Sequence, residues 1–319
     1  MRLACVGNAL LDVIAFVDHD FSSRWGLHCG SSTHLGRSGL EPLLAALGDA
    51  TSGAGGGAAN TARTFASLGH RASFAGRVGM DPAGERYRTE MAATGVEAHL
   101  QAGSEPTGTF CALIAPDGRR TVVVDTGAAL GFDADAVPDG FFAREAVLYL
   151  DGFLARTPGA LERLVERGVA AGMRIALDLG GARLAARERP LFVRLLRTAC
   201  AWAFMNEDEF VAVAEAGIEE ALDAFSAEVP GTMVVKRAEA GAVCVSGGCV
   251  VESTVREIRA LDTTGAGDAF AAGFLAAALA GAPLARCLRL GNRVAEHAIQ
   301  VPGMALDPAL LRKSAAALM

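Results

Sequence analysis

Gly265-Ala266-Gly267-Asp268 is a glycine turn running straight into an Ala-rich apolar stretch that reaches Leu279 without a proline. That pattern predicts a turn feeding the start of a buried helix. The first N–H groups of a helix have no internal partner and carry the positive end of its dipole, so a glycine-rich approach makes an anion site there. Asp268 stands at the mouth of that site. A carboxylate repels a phosphate and does not help to bind it, but it suits a group that takes the proton from a hydroxyl attacking phosphorus. Asp also favours helix starts, so the motif alone leaves capping and phosphoryl transfer both open.

Two further groups of residues could serve such a reaction. Gly53-Ala-Gly55-Gly56-Gly57-Ala-Ala-Asn60 opens a predicted helix over 58–68; its small residues let backbone approach a ligand, and Asn60 offers an amide one turn in. A hydroxyl-rich ligand and plain helix–sheet packing both fit that segment. Asn206 and Glu209, three apart at a helix start, share a face and could hold the water shell of Mg²⁺ beside phosphates. The same spacing also suits an N-cap with acids in its first turn.

These groups need a scaffold, and the pattern predicts one. From Val147 onward short apolar strands alternate with helices: strands 147–150, 174–178, 202–205 and 232–236, and helices 158–171, 188–198, 207–215 and 218–227. Such alternation implies an α/β fold with a mainly parallel sheet covered on both faces. The runs 107–115 and 120–125, joined by Pro116-Asp117-Gly118, break the alternation and predict a separate small sheet or flap with 10–17. Helices are expected at 41–47, 82–94, 268–280, 284–299 and 307–317, strands at 3–6, 96–100, 242–246 and 249–253, and no convincing strand at 47–52. No linker or repeat divides residues 1–319, so one domain with a small appendage is expected. In such a sheet, ligands bind beyond the carboxyl ends of the strands; Asn8, Asp12, Asp151, Asn206 and Lys236 all fall there. His28 and His34 are expected to be exposed and without a role.

Composition narrows the classes. With 51% hydrophobic residues and a net charge of -7, the chain has material for a large core and lacks the clustered positive charge that nucleic acid requires. Lys236 and Lys313 are its only lysines, which excludes a GxxxxGK[ST] loop and a protein-kinase VAIK lysine. The 7 cysteines show no CxxC spacing, so a reduced cytoplasmic protein without zinc is expected. The apolar N-terminus carries Asp12 and Asp18 and lacks a cleavage-type pattern, so neither a secretory leader nor a membrane span is expected.

Taken together, the residues resemble the ribokinase or PfkB family of carbohydrate and nucleoside kinases. DTTGAGDAFAAGF, Asp262 to Phe274, resembles its C-terminal signature. GGGAANTARTFASLG with RVGMDPAGE resembles the N-terminal one, NEDE its NxxE, and GNALLD its substrate-binding first strand. The resemblance implies a Rossmann-like core with a β lid formed by about 9–18 and 105–126, and transfer of the ATP γ-phosphoryl group to a primary hydroxyl. It implies Asp268 as general base and the Gly265, Ala266 and Gly267 amides as anion hole. Asn206 and Glu209 would organise Mg²⁺ through water, while Lys236, Gly241 and Thr264 would face the nucleotide. Asn8, Asp12, Gly55, Gly56, Asn60, Asp151 and Phe153 would hold the substrate. Many members bind a monovalent cation such as K⁺ near the segment matching Asp262 to Thr264 and the loop 301–303; a homodimer through the lid is also compatible.

GNALLDVIAFVD, APDGRRT and YLDGFL are most similar to the adenosine-kinase-like branch, with Phe16, Phe110 and Phe153 available for a base. Two departures stand out: Lys236-Arg237-Ala238 replaces the usual Thr-Leu-Gly, and Asp151 stands where relatives often carry Glu. The alternatives to a sugar or nucleoside kinase are a catalytically silent sensor of the same ligands, disfavoured by an intact Asp268, and a dinucleotide-dependent oxidoreductase resting on Gly53 to Gly57 alone.

Overall fold

A computed structural model of the chain describes residues 2–318. The chain begins with β1 (Arg2–Val6), β2 (Leu10–Phe16), α1 (Phe21–Arg24), β3 (Ser32–His34), α2 (Arg37–Ala45), β4 (Ala50–Gly55), α3 (Gly57–Ser67), β5 (Arg71–Gly79), α4 (Pro82–Ala93), β6 (Glu97–Gly103), β7 (Thr107–Ile114) and β8 (Arg120–Gly127). It continues through β9 (Val147–Asp151), α5 (Ala160–Ala170), β10 (Arg174–Asp178), α6 (Ala182–Arg187), α7 (Arg189–Thr198), β11 (Cys200–Asn206), α8 (Glu207–Ala214), α9 (Ile218–Ala227) and β12 (Thr232–Lys236). It closes with β13 (Ala242–Ser246), β14 (Cys249–Ser253), α10 (Ala266–Leu279), α11 (Leu284–Ala298) and α12 (Pro308–Leu318).

The uninterrupted apolar runs form a nine-stranded sheet, ordered β14-β13-β12-β11-β10-β9-β1-β5-β6. Only the β12–β13 and β13–β14 pairings are antiparallel. Alternate residues fill both faces: Val147 and Tyr149 of β9 enter one core and Leu148 and Leu150 the other. A sheet wetted on one side would have polar residues at every second position; β9 has none before Asp151. The order reverses direction at β1 and β9, so this α/β sheet has its switch point, and hence its ligand crevice, where Gly7-Asn8 and Asp151 emerge.

Helix α10 packs on the first core with every residue from Ala269 to Ala277 buried. Gly273 and Gly291 let α10 and α11 touch through backbone: a methyl on Gly273 would stand 2.8 Å from the Leu290 carbonyl. Overpacking of that kind costs typically about 1–3 kcal/mol, so Gly273→Ala is the single change that would pry the pair apart. Among the described residues no helix is long and apolar enough to cross a membrane.

A second sheet, β3-β8-β7-β2-β4, lies apart from the first. The hairpin β7–β8 pairs with β2 as its sequence predicts, turning at Gly118 with φ +82°. Two strands differ from expectation. Residues 50–55, Ala-Thr-Ser-Gly-Ala-Gly, form β4 because β2 supplies antiparallel partners from Leu10↔Gly55 to Ala15↔Ala50, a long-range pairing that local composition does not encode. The three-residue β3 likewise exists only by pairing with β8. The expected helix at 188–198 is preceded by an additional short one, α6, and the helix expected at 41–47 is α2, starting at Arg37 and accommodating Pro42.

Candidate active site

Two cavities open beyond the carboxyl ends of the strands. The first, of about 310 Å³, is lined by Asn8, Asp12, Gly56, Asn60, Asp151 and Asp268, among others. The second, of about 610 Å³, lies between the 254–263 segment, α10 and α11. Asn206, Lys236, Thr263 and Gly267 line both. The junction is therefore the glycine turn at the start of α10.

Gly265 occupies the N-cap of α10 with φ +73°, a conformation that favours glycine, and no side chain caps that helix. Asp268 does not cap it. Its carboxylate instead accepts a 3.2 Å hydrogen bond from Asn60 Nδ2, which comes from α3. Burial raises the Asp268 pKa well above the carboxylate range, and Asp178 and Asp151 add to this against the Asn60 bond and Lys236. A half-buried carboxylate held in this way has a strong affinity for a proton. Asn60 is 3% exposed and its Oδ1 has no partner, so a donor from the cavity would satisfy it.

The glycines ahead of α3 allow close approach. A methyl on Gly55 would lie 2.0 Å from the Asp12 carboxyl carbon, and one on Gly56, at φ +94°, 2.0 Å from the Asn8 carbonyl oxygen. At Gly57 it would meet both Asp151 Oδ2 and Asp268 Oδ1 at 3.2 Å. Gly55 thus shapes the wall without lining the cavity. Burial pushes Asp12 up to about 7, opposed by Arg63 and the Asn60 amide. It does the same to Asp151, whose Oδ1 accepts from Phe153 N at 2.9 Å. Phe110 and Phe153 line the cavity, with Phe153 packed on Gly180. Phe16, expected with them, is instead 55% exposed on the outer part of β2 and does not line it.

Asn206 and Glu209 realise the capping alternative in full. Asn206 Oδ1 accepts from Glu209 N at 2.8 Å, and Glu209 accepts from Asn206 N at 2.9 Å and from Asn206 Nδ2 at 3.1 Å. Burial and Asp178 still push Glu209 up to about 7, against Lys236. A cation nearby would offset that cost. Among the described residues no cluster of three or more acids, His or Cys could cage a metal alone, so this donor set fits Mg²⁺ only through water and phosphate oxygens. Asp262 is occupied: it accepts from Thr264 N at 2.9 Å, Thr264 Oγ1 at 2.7 Å and Gly303 N at 2.8 Å. This bonds together the two segments expected to flank a monovalent cation.

Lys236 does not end its strand in solvent. Its side chain is 18% exposed and its Nζ donates to Asp178 Oδ2 at 2.8 Å. Gly241 and Ala266 line the second cavity only, Thr264 and Gly265 the first. Ala238, where Gly is usual, adopts φ +46° nonetheless. Several lining residues were missed from sequence. Asp178 could have been found, as an acid ending a strand before Leu179-Gly180-Gly181. Arg120, which donates to Thr264 Oγ1 at 3.1 Å, and Arg156, which lies against His34, carry no sequence signal. His34 is exposed as expected, yet it borders the cavity.

Comparison with known proteins identifies the family and the fold. Residues 2–309 match the pfkB family carbohydrate kinase. The structure is similar to that of the adenosine kinase from Sinorhizobium meliloti, with a TM-score of 0.91 and 30% identity over 100% of this chain and 99% of that one. The sequence is 26% identical to the adenosine kinase of Saccharomyces cerevisiae over 94% of this chain and 95% of that protein. It is 29% identical to the nucleoside kinase of Methanothermobacter thermautotrophicus over 78% and 79% respectively. Fold and site thus define an ATP-dependent kinase of the ribokinase-like α/β class. The chain belongs to the pfkB family of carbohydrate kinases, on its adenosine-kinase-like branch.

Proposed function

We propose that this kinase transfers the ATP γ-phosphoryl group to the primary hydroxyl of a nucleoside or a related sugar, with Asp268 as general base. One observation carries this reading: the Asp268 carboxylate lines the first cavity next to Gly267, which lines both, and among the described residues it accepts a hydrogen bond from Asn60 only. The acceptor hydroxyl gives its proton to Asp268, its oxygen bonds to the γ-phosphorus, and the bond from that phosphorus to the β-bridging oxygen breaks, its electron pair leaving with ADP. Amides of Gly265 and Gly267 stabilise the charge in flight; the Ala266 amide, expected with them, donates to the Thr263 carbonyl at 3.3 Å and would have to leave it to join them. Bound Mg²⁺ would neutralise phosphate charge, with Asn206 and Glu209 orienting its water shell. Lys236, Thr264 and Gly241 serve the nucleotide, and Asp262 fixes the loop at which K⁺ would bind.

In the first cavity Asn8, Asp12, Gly56, Asn60 and Asp151 accept and donate to hydroxyls, with Gly55 keeping Asp12 close. Phe110 and Phe153, beside Leu10 and Val124, offer flat apolar contact that favours a nucleoside over a bare sugar. Similar proteins named adenosine kinase or nucleoside kinase support this choice, while others are named ribokinase, 2-dehydro-3-deoxygalactonokinase or sugar kinase, so the sugar stays in the reading. The second sheet, covering this cavity through Leu10, Phe110 and Val124, acts as a lid inserted in one kinase domain. A homodimer through this lid remains part of the reading, but not by strand pairing at β4, whose outer edge is taken by Glu90 on Ala54 N, Arg63 on Ala54 O and Arg86 on Ser52 O; gel filtration tests it. We place the reaction in the cytoplasm, in keeping with 7 unpaired cysteines. The function itself is tested by ADP release across nucleosides, pentoses, hexoses and keto-deoxy acids. A nucleoside is expected to give the highest kcat/KM, and its 5′-deoxy analogue to bind without turnover. Absence of ADP release with every acceptor, in a protein that still binds one of them, would overturn the kinase reading in favour of a sensor.

A further inference from the structure

We infer that Lys236 is a movable phosphoryl clamp: parked on Asp178 in the free enzyme, its ammonium swings onto the transferring group, and Asp178 is the residue that positions it. The inference rests on the phosphotransferase reading and concerns a residue in which this chain departs from the usual pattern of its family.

The geometry is unusual for a lysine. The strands β10 and β12 flank β11, so the 2.8 Å ion pair between Asp178 and Lys236 spans one intervening strand at the carboxyl edge of the sheet. Asp178 is fixed there by its other oxygen, which accepts from Gly180 N at 3.0 Å. The ammonium has three donors, and Asp178 takes one. Lys236 Nζ also stands 3.1 Å from where a methyl on Gly267 would project, against the first turn of α10. A helix N-terminus is itself the positive end of a dipole. The ammonium and the positive end of that helix therefore face one spot, with Asp178, Glu209 and Asp268 as the carboxylates around it, and Lys236 is one of the four residues facing both cavities. A phosphoryl group passing from one cavity to the other would meet both positive sources there.

No proton moves through Lys236. Burial opposes its charge, but Asp178, Glu209 and Asp268 hold the ammonium above its ordinary value, so it acts as a fixed cation on a flexible stem. During transfer it meets the equatorial oxygens of the phosphoryl group while the hydroxyl proton goes to Asp268; when ADP departs it returns to Asp178.

The pH profile separates this role from a structural one. Asp268 is faced by Asp178, Asp151, Lys236, Cys5, Tyr149 and Arg120. Of these, Asp178 opposes its ionisation and Lys236 favours it. Asp178→Asn is thus expected to move the acid limb of kcat/KM to lower pH, and Lys236→Met to move it to higher pH. Lys236→Met should lower kcat on the order of 10²–10³-fold, as loss of a transition-state donor does, with the acceptor KM within about threefold and the melting temperature near wild type. Asp178→Asn should lower kcat roughly tenfold, because an unparked lysine samples more positions. If Lys236→Met melts early, Lys236→Gln, which keeps a polar head, replaces it in the same comparison. A Lys236 variant with wild-type kcat, or one altered only in the KM for ATP, overturns the clamp while leaving the kinase reading intact if Asp268→Asn is inactive. Limbs that fail to move in opposite directions overturn the positioning role of Asp178.

Discussion

The first cavity, the proposed acceptor chamber, has charged and amide side chains in its wall, among them Asp12, Asn60, Asp151, Asp178 and Asp268. The second cavity, the proposed nucleotide chamber, has an apolar wall of Val255, Ile258, Phe270, Ala295 and Ile299 beside charged residues such as Glu207, Asp208, Arg256 and Glu296, with much of its wall a segment, 254–263, outside any helix or strand. Side chains that do chemistry must be held by rigid elements, since a displacement of about 1 Å can cost roughly 10²-fold. A chamber that only grips a flat base and a phosphate chain needs shape and a few polar groups. On the proposed function, the first cavity carries the reaction and the second carries affinity for the nucleotide, so that each can be perturbed without the other.

The largest effect is expected from Asp268→Asn, which should lower kcat by on the order of 10²–10⁴ while acceptor binding by calorimetry stays within a few-fold; unchanged turnover would remove Asp268 from the mechanism. Next comes the boundary between the chambers. Inserting one residue after Ala266 should misalign the amides and cost roughly 2.7–4 kcal/mol of transition-state stabilisation, read from kcat, with both substrates still bound. Ile258→Ser, in the nucleotide chamber alone, should raise the KM for ATP about tenfold and leave acceptor KM and kcat alone. A matching rise in acceptor KM would mean that the chambers are not separable.

The smallest effect concerns stability. Asp12 and Asp151 rise from 3.8, and Glu209 from 4.5, to about 7 on folding. Their stabilising contribution is complete below the ordinary carboxylate range and is lost as pH rises through about 7, where the folded protein must ionise buried acids. Thermal melts of the ligand-free protein should therefore fall between about pH 6 and 8 by on the order of 1 kcal/mol or more, and Asp151→Asn should flatten the trend. A melting temperature that climbs over that window would contradict the burial argument.

The same contrast governs what the sequence discloses. Asp268, the glycines around it and Asn60 were legible because few residue types can do what they do, and their spacing is local. Strands from Val147 to Lys236 were legible because burial on both faces leaves an apolar run. β4 was not, since Ala-Thr-Ser-Gly-Ala-Gly becomes a strand only through the edge that β2 offers. Asp178 and Arg156 acquire their place from partners 58 and 122 residues away, Lys236 and His34. For Asn206 and Glu209 the spacing fitted two arrangements; the structure contains the capping one, and metal binding would have to be superimposed on it.

The two cavities share Asn206, Lys236, Thr263 and Gly267 among their lining residues, so on the proposed function the two ligands sit in adjoining rooms and meet at that boundary. Both partners must then be aboard before anything is exchanged. Double-reciprocal rate plots should intersect rather than run parallel, and ADP and the phosphorylated acceptor should each compete with the one substrate whose room it shares.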